Sequence, residues 1–107
     1  MKDLINLKMY KDHNYFVYIT TNIKKNVLYT GITNDLYTRL TQHKENSKFN
    51  KTFAGKYNCY YLIYWERHTF IEHAIEREKE IKGWTRQKKN NLIKSFNPKW
   101  DFLNDEI

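Results

Sequence analysis

A single cysteine, Cys59, in a chain of 107 residues rules out an intramolecular disulfide. One proline and three glycines leave little material for flexible linkers, and no repeat or low-complexity stretch divides the chain. One domain over residues 1–107 is therefore expected. No apolar run approaches the ~18 residues of a membrane-spanning helix, and Met1-Lys2-Asp3-Leu4-Ile5 lacks the apolar stretch of a signal peptide. Cytoplasm is the expected compartment, with no membrane partner. Also missing are a Cys/His zinc spacing, a phosphate-cradling glycine loop and a nucleophile elbow around serine. Acid is the scarcer charge, with 12 Asp and Glu against 19 Lys and Arg. The resulting net charge of +7 favours a polyanionic partner, nucleic acid or an anionic surface, without choosing between them.

Aromatics, by contrast, are abundant at 17%, nine of them tyrosines. In Tyr15–Thr21 (YFVYITT) they mix with β-branched residues, which reads as a buried strand. A polar turn, Asn22 to Asn26, leads to a second strand over Val27–Gly31, and the two predict a hairpin. Thr33, Asn34 and Asp35 offer caps for a helix from about Asp35 to Glu45, with Leu36, Leu40 and His43 on one face. After a polar loop over 46–58, Tyr60–Glu66 reads as a third strand. Thr69 is placed to cap a helix running to about Gly83, and Thr85 another to about Phe96, ended by Pro98. The order β-β-α-β-α-α predicts an α+β fold, a three-stranded, mostly antiparallel sheet flanked by helices.

Four features carry chemistry. On the helix before Gly83, Glu78 falls on the apolar stripe of Ile71, Ala74, Ile75 and Ile81, while Glu72, Glu76 and Glu80 lie off it. A carboxylate at a core edge is costly unless paired or holding a cation, so either an ion pair with Lys82 or Arg77 or a metal is expected. Arg39 and His43, four residues apart, share a helix face and together could grip a phosphate; a surface Asp35–Arg39 pair is the plainer alternative. Tyr18 and Tyr29 are close enough across the hairpin to be neighbours, for packing or for chemistry. The last helix bears Arg86, Lys88, Lys89 and Lys94, with no acid from Trp84 to Trp100; it is either a phosphate-tracking stripe or a solvated face.

The order of these features is more specific than any one of them. Phe16-Val17-Tyr18, ten residues, Tyr29-Thr30-Gly31, then Asp35-Leu36-Tyr37-Thr38-Arg39-Leu40 resembles the signature of the GIY-YIG nuclease superfamily. The run Ala74 to Trp84 and the ending Leu92 to Trp100 resemble its small single-domain bacterial branch. The likeness covers a core of about residues 15–103. It departs from the pattern in lacking the first motif's glycine and in having Thr30 in the second, and both changes spare the tyrosines. The resemblance implies a metal-dependent endonuclease that hydrolyses phosphodiester bonds, on DNA rather than RNA and in repair or recombination, with Mg²⁺ or Mn²⁺ as cofactor. It implies that Tyr18 and Tyr29 line the site, one of them orienting or deprotonating water. Arg39 would stabilise charge on the phosphate, His43 relay a proton or touch phosphate, and Glu78 hold the metal. Lys56, Arg86, Lys88 and Lys89 would contact nucleic acid, and Asn97 or Asp101 would complete the site. The alternative is a non-catalytic nucleic-acid-binding module on the same fold.

Overall fold

In the central strand β1 (Tyr15–Thr21), β-branched and aromatic side chains alternate between the two faces of a sheet. The computed structural model describes residues 14–47 and 53–107; the polar lead-in and part of the 46–58 loop lie outside the described residues. Strand β1 pairs antiparallel with β2 (Leu28–Thr33) on one side and with β3 (Tyr61–His68) on the other, giving the order β2-β1-β3. A bulge sits opposite Ile19 and Thr20, which pair with Tyr64 and Leu62 and leave Ile63 as the extra residue on β3. The bulge lets both Ile63 and Tyr64 join one apolar cluster.

Helices α1 (Leu36–Asn46), α2 (Phe53–Lys56), α3 (Ile71–Lys82) and α4 (Arg86–Phe96) complete the fold, with a 3₁₀ turn at Asn104–Glu106. The α+β architecture and element order expected from the sequence are those observed; the short α2 falls within the stretch read as loop. Strand alternation sorts the core into two layers. Val17 and Ile19 pack with Ala74 and Ile81 of α3 and Ile93 of α4. Tyr18 packs on the opposite face with Leu36 and Leu40 of α1, Leu62 and Leu103. Each fully buried isoleucine stabilises the fold by roughly 1.5–3 kcal/mol.

Asp35 caps α1, accepting from the Thr38 amide at 3.1 Å and its hydroxyl at 2.9 Å. Thr85 caps α4 as expected, accepting from the Lys88 amide at 3.2 Å. Thr69 does not cap α3: the extended residue before the helix is Phe70, whose side chain cannot accept a hydrogen bond. The apolar stripe of α3 is also turned from its expected position. Ile71 and Ile75 are 42% and 38% exposed, and the helix meets the sheet through Ala74 and Ile81. The small Ala74 side chain lets α3 approach closely, which leaves Arg77 and Glu78 half-buried between the two contact points.

Asn97 fastens the end of α4 to the sheet. Its amide group donates to the carbonyls of Ile63 at 3.0 Å and Asp101 at 2.8 Å, and its oxygen accepts from the Asp101 N–H at 3.0 Å. The chain then runs along the outer edge of β3, where the Leu103 amide donates to the Leu62 carbonyl at 2.7 Å. Asn104 adds a bond to each of Tyr60 and Leu62. That strap covers an edge that would otherwise offer unpaired backbone groups. Replacing Asn97 with Ala leaves three backbone groups without their partner, so Asn97→Ala should lower the unfolding free energy by about 2 kcal/mol in denaturant titration. A change under half a kcal/mol would show that water substitutes for the amide.

Candidate active site

The site grows from one steric relation. Tyr18, fully buried on β1, stands opposite Gly31 on the edge strand β2. A Cβ at position 31 would lie 2.4 Å from the Tyr18 Oη and 2.5 Å from its Cζ. Only glycine lets the phenol lie across β2. The hydroxyl reaches the Nε2 of His43 at 2.8 Å, a hydrogen bond out of contact with water. Tyr29 shares that face of β2, its ring centroid 6.3 Å from Tyr18 and 5.1 Å, edge-on, from His43. Arg39 lies one helical turn before His43 on α1. Its NH1 donates to Gln42 at 3.0 Å, and its guanidinium also faces the Tyr18 and Tyr29 oxygens as a donor.

With the Tyr18 proton pointing to His43 Nε2, the phenol oxygen is free to accept from Arg39, which can only donate. His43 is then the tautomer protonated at Nδ1, a buried atom without a hydrogen-bond partner among the described residues. Burial, followed by the charge of Arg39, lowers the His43 pKa to about 4, so the imidazole is neutral at pH 7. The Tyr18 phenol is held well above its ordinary range. Burial is the largest cause, and Tyr29 and Glu78 push the same way against Arg39.

Glu78 comes from α3, in the opposite layer from α1. The charge of its carboxylate nevertheless registers at Tyr18 around the β2 edge. Its side chain is only 16% exposed, and its Oε2 lies 3.5 Å from the Lys82 Nζ. Of the two ion-pair partners expected, Lys82 is the one present; Arg77 turns to Glu66 and Glu80 instead. Among the described residues no group of three or more His, Cys, Asp or Glu could cage a metal. A single carboxylate at the core edge still fits a hard divalent ion that keeps several waters and takes its other ligands from phosphate. The lysine, half-exposed and flexible, can swing aside.

The basic residues divide. Arg86 pins the β1–β2 turn, donating to the carbonyls of Asn26 at 3.0 Å and Lys25 at 3.4 Å, so its guanidinium is structural as well as charged. Lys88 sits 4.5 Å from the Trp84 ring centre, against which Arg77 also packs at 5.1 Å. Lys89 is half-buried on α4, and exposed Lys56 lies against Tyr57 rather than among the clustered tyrosines.

Sequence reasoning missed a second polar cluster. Glu66 accepts from the Tyr64 hydroxyl at 2.5 Å, pairs with His68 at 2.5 Å, and receives the Arg77 Nε on both oxygens at 3.1 and 3.2 Å. Burial pushes the Glu66 pKa up, but its bonds to Tyr64 and His68 and the Arg77 charge outweigh that and leave it low. The signal was available as Tyr64-x-Glu66-x-His68, polar groups at the period of one strand face. The cluster ties β3 to α3.

Residues 14–91 match the family model described as GIY-YIG catalytic domain. UPF0213 proteins of Staphylococcus aureus strains Mu50 and N315 are 36% identical over 83 residues, covering 76% of this chain and 95% of theirs. The solution structure of the UPF0213 protein BH0048 from Bacillus halodurans is similar with a TM-score of 0.50 and 25% identity, over 87% of this chain and 93% of that one.

Two outcomes follow from this geometry. Gly31→Ala should displace Tyr18, weakening the fold by about 1–3 kcal/mol and breaking the bond to His43. A variant that keeps wild-type stability and the wild-type His43 imidazole NMR shifts would show that the ring is not so confined. The second concerns pH. His43 has a folded pKa of about 4 against an ordinary 6.5, so the folded state binds fewer protons between them. Its contribution is present above about pH 6.5 and is lost as pH falls toward 4, by on the order of 2 kcal/mol once partial solvent screening is allowed for. Unfolding titrations across that window should show the slope, and His43→Gln should flatten it; an equal slope in the variant assigns the effect to other groups.

Proposed function

The chain belongs to the GIY-YIG family, and from that premise we propose that it is a metal-dependent endonuclease that hydrolyses phosphodiester bonds in nucleic acid, with DNA the favoured substrate. The observation that carries this reading is the convergence of Arg39 with two phenols and a buried neutral imidazole at the β2 edge. Packing alone gives no reason for a guanidinium beside two tyrosines and a histidine kept neutral first by burial and then by that charge.

In this reading Arg39 turns from the tyrosines to a phosphate oxygen, where its fixed fork stabilises the charge of the pentavalent transition state. Tyr29, together with Tyr18 once Arg39 has turned away and uncovered its oxygen, holds the attacking water. As the water oxygen bonds to phosphorus and the ester P–O bond breaks, the water's proton passes to the Tyr18 oxygen while the Tyr18 proton passes to His43 Nε2. The leaving oxygen takes its proton from solvent. Free Tyr18 is a poor base and free His43 a weak acceptor, so the relay is idle without substrate. A bound phosphate offsets part of the Arg39 charge, the second cause after burial of the lowered His43 pKa, and so makes the imidazole a better acceptor. Glu78 would hold Mg²⁺ or Mn²⁺, which would supply further positive charge at the phosphate. Lys88, Lys89 and Lys56 would contribute diffuse attraction for the phosphate backbone.

Glu78→Gln should abolish cleavage with Mg²⁺ or Mn²⁺ while leaving nucleic-acid binding and folding largely intact, because the amide keeps the shape but not the charge that holds the cation. Arg39→Lys should slow cleavage on the order of 100-fold. Cleavage of labelled duplex, single-stranded and branched substrates measures both. Wild-type protein that binds these substrates but cleaves none with any divalent ion would leave a binding module on this fold. A Glu78→Gln protein that melts early yet cleaves while folded would reduce Glu78 to the partner of Lys82.

A further inference from the structure

On the flank of α1 away from Arg39 and His43, a groove of about 510 Å³ opens between that helix and the strap along β3. Aromatic rings line it. Tyr61 stacks on Phe102 at 4.3 Å between centroids and 22° between planes, and Tyr60 continues the row at 4.7 Å from Tyr61. Tyr37, on the facing flank of α1, is 68% exposed. Cations interleave with the rings. The Lys25 Nζ lies 5.0 Å over the Phe102 ring, Lys44 lines the groove, and its charge acts on the Tyr61 hydroxyl. In the lining itself the acidic side chain Asp105 stands with Lys44, and Lys25 adds a second positive charge from over the Phe102 ring in a chain of net charge +7.

We propose that this groove is a stacking site for unpaired bases, so that the nucleic acid bound here has a single-stranded segment beside the bond to be cut. Aromatic rings among lysines match a strand of flat bases joined by phosphates, and stacking accepts any base because each has a π-face. A duplex has no free faces to offer, since its bases stack on one another. The exposed Tyr37 is the clearest platform: it packs in neither core cluster, and nothing in the fold requires a large ring there. The groove and the reactive cluster lie on two flanks of one helix, roughly 10 Å across. A strand leaving Arg39 would cross α1 to reach Tyr37.

The proposal rests on the nuclease reading for its meaning but is tested separately, by binding in EDTA, where a metal-dependent enzyme does not cut. Fluorescence anisotropy would follow labelled oligothymidylate and a blunt duplex of equal length. Tyr37→Ala should weaken the single strand by about five-fold or more, the loss of one base–aromatic stack. It should leave the duplex within about two-fold of wild type, and Tyr37→Trp should restore the single strand. Lys44→Gln should weaken single-strand binding and lower its salt dependence. Equal losses on both nucleic acids, or none, would overturn the proposal whether or not the protein cleaves. So would a concentration-dependent dimer, seen by sedimentation, that Tyr37→Ala dissolves, because the groove would then hold a second copy of the chain. Tyr37-dependent binding without any cleavage would instead keep the groove and remove the nuclease.

Discussion

The contact between the Tyr18 ring and the bare backbone of Gly31 is the constraint on which the rest of the site depends. A buried tyrosine has to place its hydroxyl against a partner or lose a hydrogen bond, and on β1 the sheet offers none. By crossing Gly31, the ring carries its oxygen beyond the edge strand to His43. His43 must then be buried on α1, Arg39 follows one turn away, and α1 itself must dock with Leu36 and Leu40 inward. Packing and chemistry are thus the same requirement on this face. No separate scaffold holds the reactive groups, since Tyr18 is itself part of the apolar cluster.

Much of this was legible in the sequence because it follows from local pattern. Runs of aromatic and β-branched residues marked β1 and β3, the Asp35 and Thr85 side chains marked two helix starts, and four-residue spacing put Arg39 and His43 on one face. What was not legible depends on how elements sit against one another. The rotation of α3 is set by how closely Ala74 lets it approach the sheet, a tertiary quantity that the spacing of its isoleucines cannot express. Thr69 looked like a cap by residue type, but the bend at Phe70 fell one residue later. The division of labour among cations was likewise hidden. Arg86 reads as one member of a basic stripe until the β1–β2 turn is seen beneath it.

The two half-buried residues of α3 show how the same position type can be resolved in different ways. Arg77 and Glu78 are consecutive, both held between Ala74 and Ile81, and both carry charge into a core edge. Arg77 is saturated, with Glu66, Glu80 and the face of Trp84 around it. Among the described residues Glu78 pairs with a flexible lysine at 3.5 Å, longer than a good charge-assisted hydrogen bond. A half-buried charge with incomplete compensation is destabilising, and the proposed cation would supply the compensation that Lys82 leaves short. The saturated neighbour shows that compensation was within reach of this helix.

Arg39 links the electrostatics of the whole edge. It lowers His43, opposes the upward push on Tyr18 and donates toward both phenols, so each of those groups is tuned by one guanidinium. Any anion that draws Arg39 away changes all three at once: the imidazole becomes more basic, and the phenols lose a donor just as a proton acceptor becomes available. A site built this way needs no moving loop to distinguish free from occupied. The ligand's charge would itself be the signal, and α1 carries the Arg39–His43 cluster on one flank and the aromatic groove on the other.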